Sequence, residues 1–116
     1  MKLAGKLLAL AAVLALPALA SETKNWQNVS LVDLNCSKKA AVTKDPDTHT
    51  RDCALLCSKS GYGVLVDGKY YKFDAAGSDQ ALAALKASSK KDHLRVDVSG
   101  ELDGDTLTVA SLKLLE

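Results

Sequence analysis

Two Asp-Gly pairs, Asp67-Gly68 and Asp103-Gly104, each stand between runs rich in β-forming residues. In that setting an Asp-Gly pair is a strong hairpin signal, because a two-residue turn needs backbone of positive φ. The chain is therefore committed to two antiparallel strand pairs. One joins Gly63–Val66 to Lys69–Phe73, and the other joins His93–Leu102 to Thr106–Leu114. Alternation supports the second pair: Leu94, Val96 and Val98 fall on one face, Arg95, Asp97 and Ser99 on the other. In its partner strand Leu107, Val109 and Ser111 face together.

Trp26–Leu34 adds a fifth strand, with Val29 and Leu31 opposite Asn28, Ser30 and Val32. Ser21–Asn25 is polar and reads as a fraying end. Cys36–Asp47 reads as a loop, since Pro46 disfavours helix just before it. Thr48 or Thr50 caps a predicted helix to about Lys59, closed by Gly61. Cys53, Leu56 and Cys57 share a face of it. Asp74–Gly77 reads as a turn, after which Ser78 opens an alanine-rich helix to about Ala87 with Ala81, Leu82 and Leu85 as its apolar face. Ser88–Asp92 is an exposed connection.

This order predicts a mainly β, α+β domain: a five-stranded OB-like barrel. One helix lies between strands 3 and 4, and an extra helix between strands 1 and 2. An open five-stranded sheet with helices on one face is the alternative.

The first twenty residues set the expected compartment. Lys2 and Lys6 precede an apolar run from Leu7 to Leu16, and Pro17-Ala18-Leu19-Ala20 ends in an A-x-A pattern. This is the layout of a cleaved secretory signal. The run is too short for a bilayer, which needs about 20 residues. The expectation is an exported protein, periplasmic or extracellular, with residues 21–116 as one domain. Removing two lysines from 15 basic residues leaves 13 against 14 acidic, so the mature charge is −1. That balance gives no electrostatic footprint for nucleic acid or for an anionic membrane.

Three cysteines follow the leader, and with His49 they spell C-x12-H-x3-C-x3-C across Cys36, His49, Cys53 and Cys57. In a small exported domain the ordinary use of cysteine is a disulfide. A bridge from Cys36 to Cys53 or Cys57 would stabilise by roughly 3 kcal/mol. The third thiol is then buried, reactive, or paired with another chain in a dimer. Zinc or copper is the alternative occupant, because thiolates and imidazole suit both. On one continuous helix His49 and Cys57 would lie about 12 Å apart. A common ion therefore needs His49 to precede the helix and fold back. A thiol redox role is a third alternative, but C-x-x-C is absent and Cys53 and Cys57 fall late in the helix, away from its activating end.

No residue is assigned to catalysis. Asp92 and His93 are neighbours on a strand and would point to opposite faces. Neither G-x-S-x-G nor H-E-x-x-H occurs. Tyr62, Tyr70 and Tyr71 offer an aromatic surface for a sugar or peptide, against the plainer reading of core packing. No methionine follows Met1, which removes thioether ligands.

The Trp26 strand, the H-x3-C-A-x2-C segment from His49, the run G-Y-G-V-L-V-D-G-K-Y-Y-K-F-D from Gly61, and D-H-L-R-V-x-V-x-G from Asp92 resemble small exported bacterial proteins with an OB-like barrel. The resemblance is one of architecture and implies no activity. It makes Cys36, His49, Cys53 and Cys57 the candidate site. The resulting expectation is a non-enzymatic binding or structural module held by a disulfide, with no cofactor required.

Overall fold

The computed structural model describes residues 21–116, so the leader read at residues 1–20 lies outside the described residues. Strands β1 (Glu22–Asp33), β2 (Tyr62–Val66), β3 (Lys69–Phe73), β4 (Arg95–Asp103) and β5 (Thr106–Leu114) close into a barrel in the order β1-β2-β3-β5-β4. Every neighbouring pair is antiparallel except β3 with β5. The expected OB-like barrel is present.

Both hairpin turns follow their chemistry. Asp67 and Gly68 have φ of 50° and 82°, the two positive values that a type I′ turn needs. In the second hairpin Asp103 pairs with Thr106, so the turn residues are Gly104 and Asp105, and Gly104 carries φ 63°. Leu31, Val64, Val96, Val98 and Leu107 point inward and are buried together.

Several boundaries differ from the sequence reading. Residues 22–25 do not fray: they pair with Leu102–Ser99 of the long second hairpin. A β-bulge between Trp26 and Val29, with Asn28 at φ 54°, resets the register. Below it Trp26 meets Tyr71, ring centres 4.8 Å apart, and both pack against the core. A second irregularity at Ser99/Gly100 shifts β5, so Ser111 faces outward and its Oγ lies 2.7 Å from that of Ser99. His93 precedes β4 and has φ 51°. That bend brings its Nδ1 to 2.8 Å from Asp92 Oδ1, on the exposed surface.

The β1–β2 connection holds three short helices rather than a loop and one helix. These are α1 (Leu34–Ser37), α2 (Ala40–Lys44) and α3 (Arg51–Leu56), with 3-10 turns at Pro46–Thr48 and Ser58–Ser60. Pro46 still blocks helix before it, and α2 stops at Lys44. Thr50 is the N-cap of α3, accepting from Cys53 N. Asp47 in the first 3-10 turn grips Arg95 at both oxygens, 3.0 Å to Nε and 2.9 Å to Nη2. Arg95 also donates to Asn28 O. One guanidinium thus joins the insert, the bulge and β4.

The fourth helix, α4 (Ala75–Ala87), begins a turn earlier than expected because Asp74 is its N-cap, accepting from Gly77 N at 3.0 Å. Ala81 and Leu85 of its predicted apolar face are buried. Arg51 Nε donates to Leu85 O near its far end, tying α4 to α3.

Gly77 separates two effects. Helix propensity alone makes Gly→Ala favourable by about 1 kcal/mol. A Cβ there would lie 2.4 Å from Val109 Cγ2. Packing should win, and Gly77→Ala should destabilise by about 1–3 kcal/mol in denaturant titration. The Asp47–Arg95 pair predicts a pH dependence. The Arg95 hydrogen bonds hold the Asp47 carboxyl below its ordinary 3.8. Its contribution is therefore complete above pH 3.8 and fades as pH falls through the lower folded value. Asp47→Ala should cost about 1 kcal/mol at neutral pH, after allowing for solvent screening. That difference should shrink below pH 3.8 when unfolding is followed at a series of pH values.

Candidate metal centre at the end of the first strand

Val29, Leu31 and Asp33 occupy alternate positions of β1, and Asp33 is 0% exposed. A carboxylate in that place needs partners on both oxygens. Oδ2 accepts from Cys36 N at 2.8 Å, which caps α1 and turns the chain off the barrel. Oδ1 lies 2.8 Å from His49 Nε2, and His49 is 4% exposed. The contact is a close one between charge-bearing groups, and neither atom makes a hydrogen bond.

The cap places Cys36, 4% exposed, beneath the insert. Cys36, Val32 and Leu65 form a small buried cluster with Val42, Cys57 and Tyr70 packed on it. Cys57 arrives from the end of α3, which it terminates. Its Sγ accepts from Asn35 Nδ2 at 3.5 Å. One ligand atom each from Asp33, Cys36 and Cys57 lies within 4.8 Å of the other two. The three strong anionic ligands of this end of the molecule therefore converge.

Electrostatics sharpens the picture. Burial pushes the Asp33 carboxyl up, but the His49 contact, the Cys36 N–H and the His49 charge pull it down further, and it settles below 3.8. Burial and then the Asp33 charge push the Cys36 thiol up to about 12, with Cys57 adding to the rise. Burial, Asp33 and Cys57 likewise raise Tyr62 to about 12, and burial with Asp33 raises Tyr70. Burial and the Asp33 charge thus both disfavour the Cys36 thiolate.

The structure redistributes the predicted site residues. Cys36 and Cys57 come together, while Cys53 is exposed on the outer side of α3. His49 does precede α3, but it folds back onto Asp33 rather than onto all three sulfurs. All three cysteines are free thiols, so the expected disulfide is absent here. The shared face of Cys53, Leu56 and Cys57 is not a buried one: α3 ends before the face is completed, and Leu56 is 85% exposed.

The tyrosines do not form an outer platform. Tyr62 is 1% exposed and donates to Ala54 O at 2.7 Å. Tyr71 packs against the core with Trp26. Tyr70 lies across Gly63, where a Cβ would stand 2.7 Å from its ring, and it donates to Val32 O. Asp33 was missed by the sequence reading. Its signal was an acid continuing the inward alternation of Val29 and Leu31, three residues before a cysteine.

No protein-family model, curated protein or solved structure matches the chain. Among the described residues no helix is long and apolar enough to cross a membrane.

His49→Ala would leave Asp33 Oδ1 buried without a counterpart. Removing one member of a buried pair costs roughly 3 kcal/mol. Equilibrium unfolding in urea should show that loss at neutral pH, whereas truncation of exposed His93 should leave the midpoint within about 0.5 kcal/mol.

Proposed function

We propose that this protein is a small non-enzymatic metal-binding module that holds one zinc or copper ion through Cys36, Cys57 and Asp33. The observation that carries the reading is the convergence of these three ligand atoms within 4.8 Å at the barrel end. Two sulfurs on a tetrahedral zinc stand about 3.8 Å apart, given bonds of about 2.3 Å. Only a small contraction separates that arrangement from the one seen.

The unmatched polar atoms support the same conclusion. Burial first, and then the neighbouring Asp33 charge, keep the Cys36 thiol protonated. A cation reverses this logic, since a coordinating thiol is deprotonated outright. His49 then serves as the group that holds the Asp33 carboxylate in place, the outer support that metal ligands ordinarily have. The soft sulfur pair favours zinc or copper over calcium or magnesium. Export, inferred from residues 1–20, would place the site outside the cytosol.

Titrating the reduced chain with Zn²⁺ against a chromogenic chelator tests this. One ion per chain is expected, with proton release on binding. Cys36→Ser and Cys57→Ser should each abolish tight binding. His49→Ala should weaken it about 10–100-fold. Cys53→Ser should bind as the parent does. Absence of stoichiometric binding, or equal dependence on Cys53, would refute the proposal.

A further inference from the structure

We propose that Cys36 and Cys57 also form the intrachain disulfide of this protein, and that this bond and the metal exclude each other, so the site holds its ion only when reduced. The gating half rests on the metal reading above; the pairing half stands on geometry alone.

Spacing left Cys36 free to pair with either Cys53 or Cys57. The fold decides between them. Cys57 Sγ is within 4.8 Å of Cys36 Sγ, whereas Cys53 is exposed on the far side of α3. A bond of about 2.05 Å requires one sulfur to move. Cys36 is buried and its backbone N–H is held by Asp33, so it is the fixed partner. Cys57 is the movable one: it is half-buried and follows the last residue of a six-residue helix.

The two sulfurs also differ in access, which orders the chemistry. With glutathione disulfide as oxidant, the Cys57 thiolate attacks one of its sulfurs and expels a glutathione thiolate. Cys36 then passes its proton to the expelled glutathione thiolate and attacks Cys57 Sγ, and the second glutathione leaves as a thiolate that is protonated from water. Two cysteine thiols are oxidised and one glutathione disulfide is reduced to two thiols. Both sulfurs become neutral disulfide atoms and leave Asp33 with His49 beside it. One carboxylate and one imidazole hold zinc far less tightly than a set that includes two thiolates. By linkage a bound ion disfavours the disulfide at equilibrium, and because it occupies the attacking sulfur it also slows oxidation.

The experiment takes the full chain through four states. Reduced and glutathione-disulfide-treated protein are each titrated with Zn²⁺, and oxidation is timed with and without prior zinc. Intact mass and peptide mapping identify the bridge. The expected result is a two-hydrogen loss, a Cys36–Cys57 peptide and one free thiol at Cys53. Zinc affinity should fall at least 100-fold on oxidation, and prior zinc should slow it. Cys53→Ser should oxidise normally, a control that does not disturb the buried cluster.

A bridge that includes Cys53, or glutathione adducts without an intrachain bond, would overturn the pairing. Equal zinc binding by both forms would overturn the gating. Failure of the reduced chain to bind zinc would instead sink the metal reading and with it the gating, while the peptide map still decides the pairing.

Discussion

The carboxylate of Asp33 is the constraint around which this end of the molecule is arranged. It sits at the last position of β1 with no solvent contact, yet it remains ionised. An isolated carboxylate could not be kept in such a place. Its two oxygens therefore dictate where the next 28 residues go. One oxygen starts α1 and turns the chain away from the barrel, while the other draws His49 back over it. The insert that follows is made of helices too short to be stable alone. Its position comes from this anchor, from the Asp47–Arg95 pair and from the Arg51 contact with α4.

The insert lies over one side of the barrel and packs against it. OB-like barrels bind extended ligands on the face of strands 2 and 3 and on the first connecting loop. Here Leu65 of β2, Tyr70 of β3 and the adjacent Val32 of β1 share one cluster with Cys36, Val42 and Cys57 of the insert. The chain supplies its own occupant. What remains at the covered face is a small internal site, with side chains from the strand, the first helix and the end of the third.

The strands were legible in the sequence because their determinants are local. Asp67-Gly68 and the alternation of Leu94, Val96 and Val98 act over a few residues, and both behave as read. The start of β1 was not legible, since Glu22–Asn25 form strand through pairing with a partner some 75 residues away. The start of α4 was misread because Asp74-Ala75-Ala76-Gly77 has the composition of a turn, and only the capping contact shows it as a first helical turn. For the site, cysteine spacing proposed the right elements but assumed one continuous helix. Cys53 is exposed, and the acid of β1 joins Cys36 and Cys57 in the cluster instead. An inward-facing Asp was visible in the pattern, but strand acids ordinarily face water.

The cluster also poses a conflict that only a few chemical states resolve. Ionised together, Asp33, Cys36 and Cys57 would place three negative charges in a region largely sealed from water. Protonating Cys36 is the first resolution, favoured first by burial of its sulfur and then by the Asp33 charge. A cation is the second, since it converts the repulsion into coordination. A disulfide is the third, since it removes the titrating groups altogether. Substitution at Asp33 or Cys36 would relieve the conflict only by removing the cap of α1 or by opening the cluster around Val32 and Leu65, so the crowding is tied to the same contacts that position the insert.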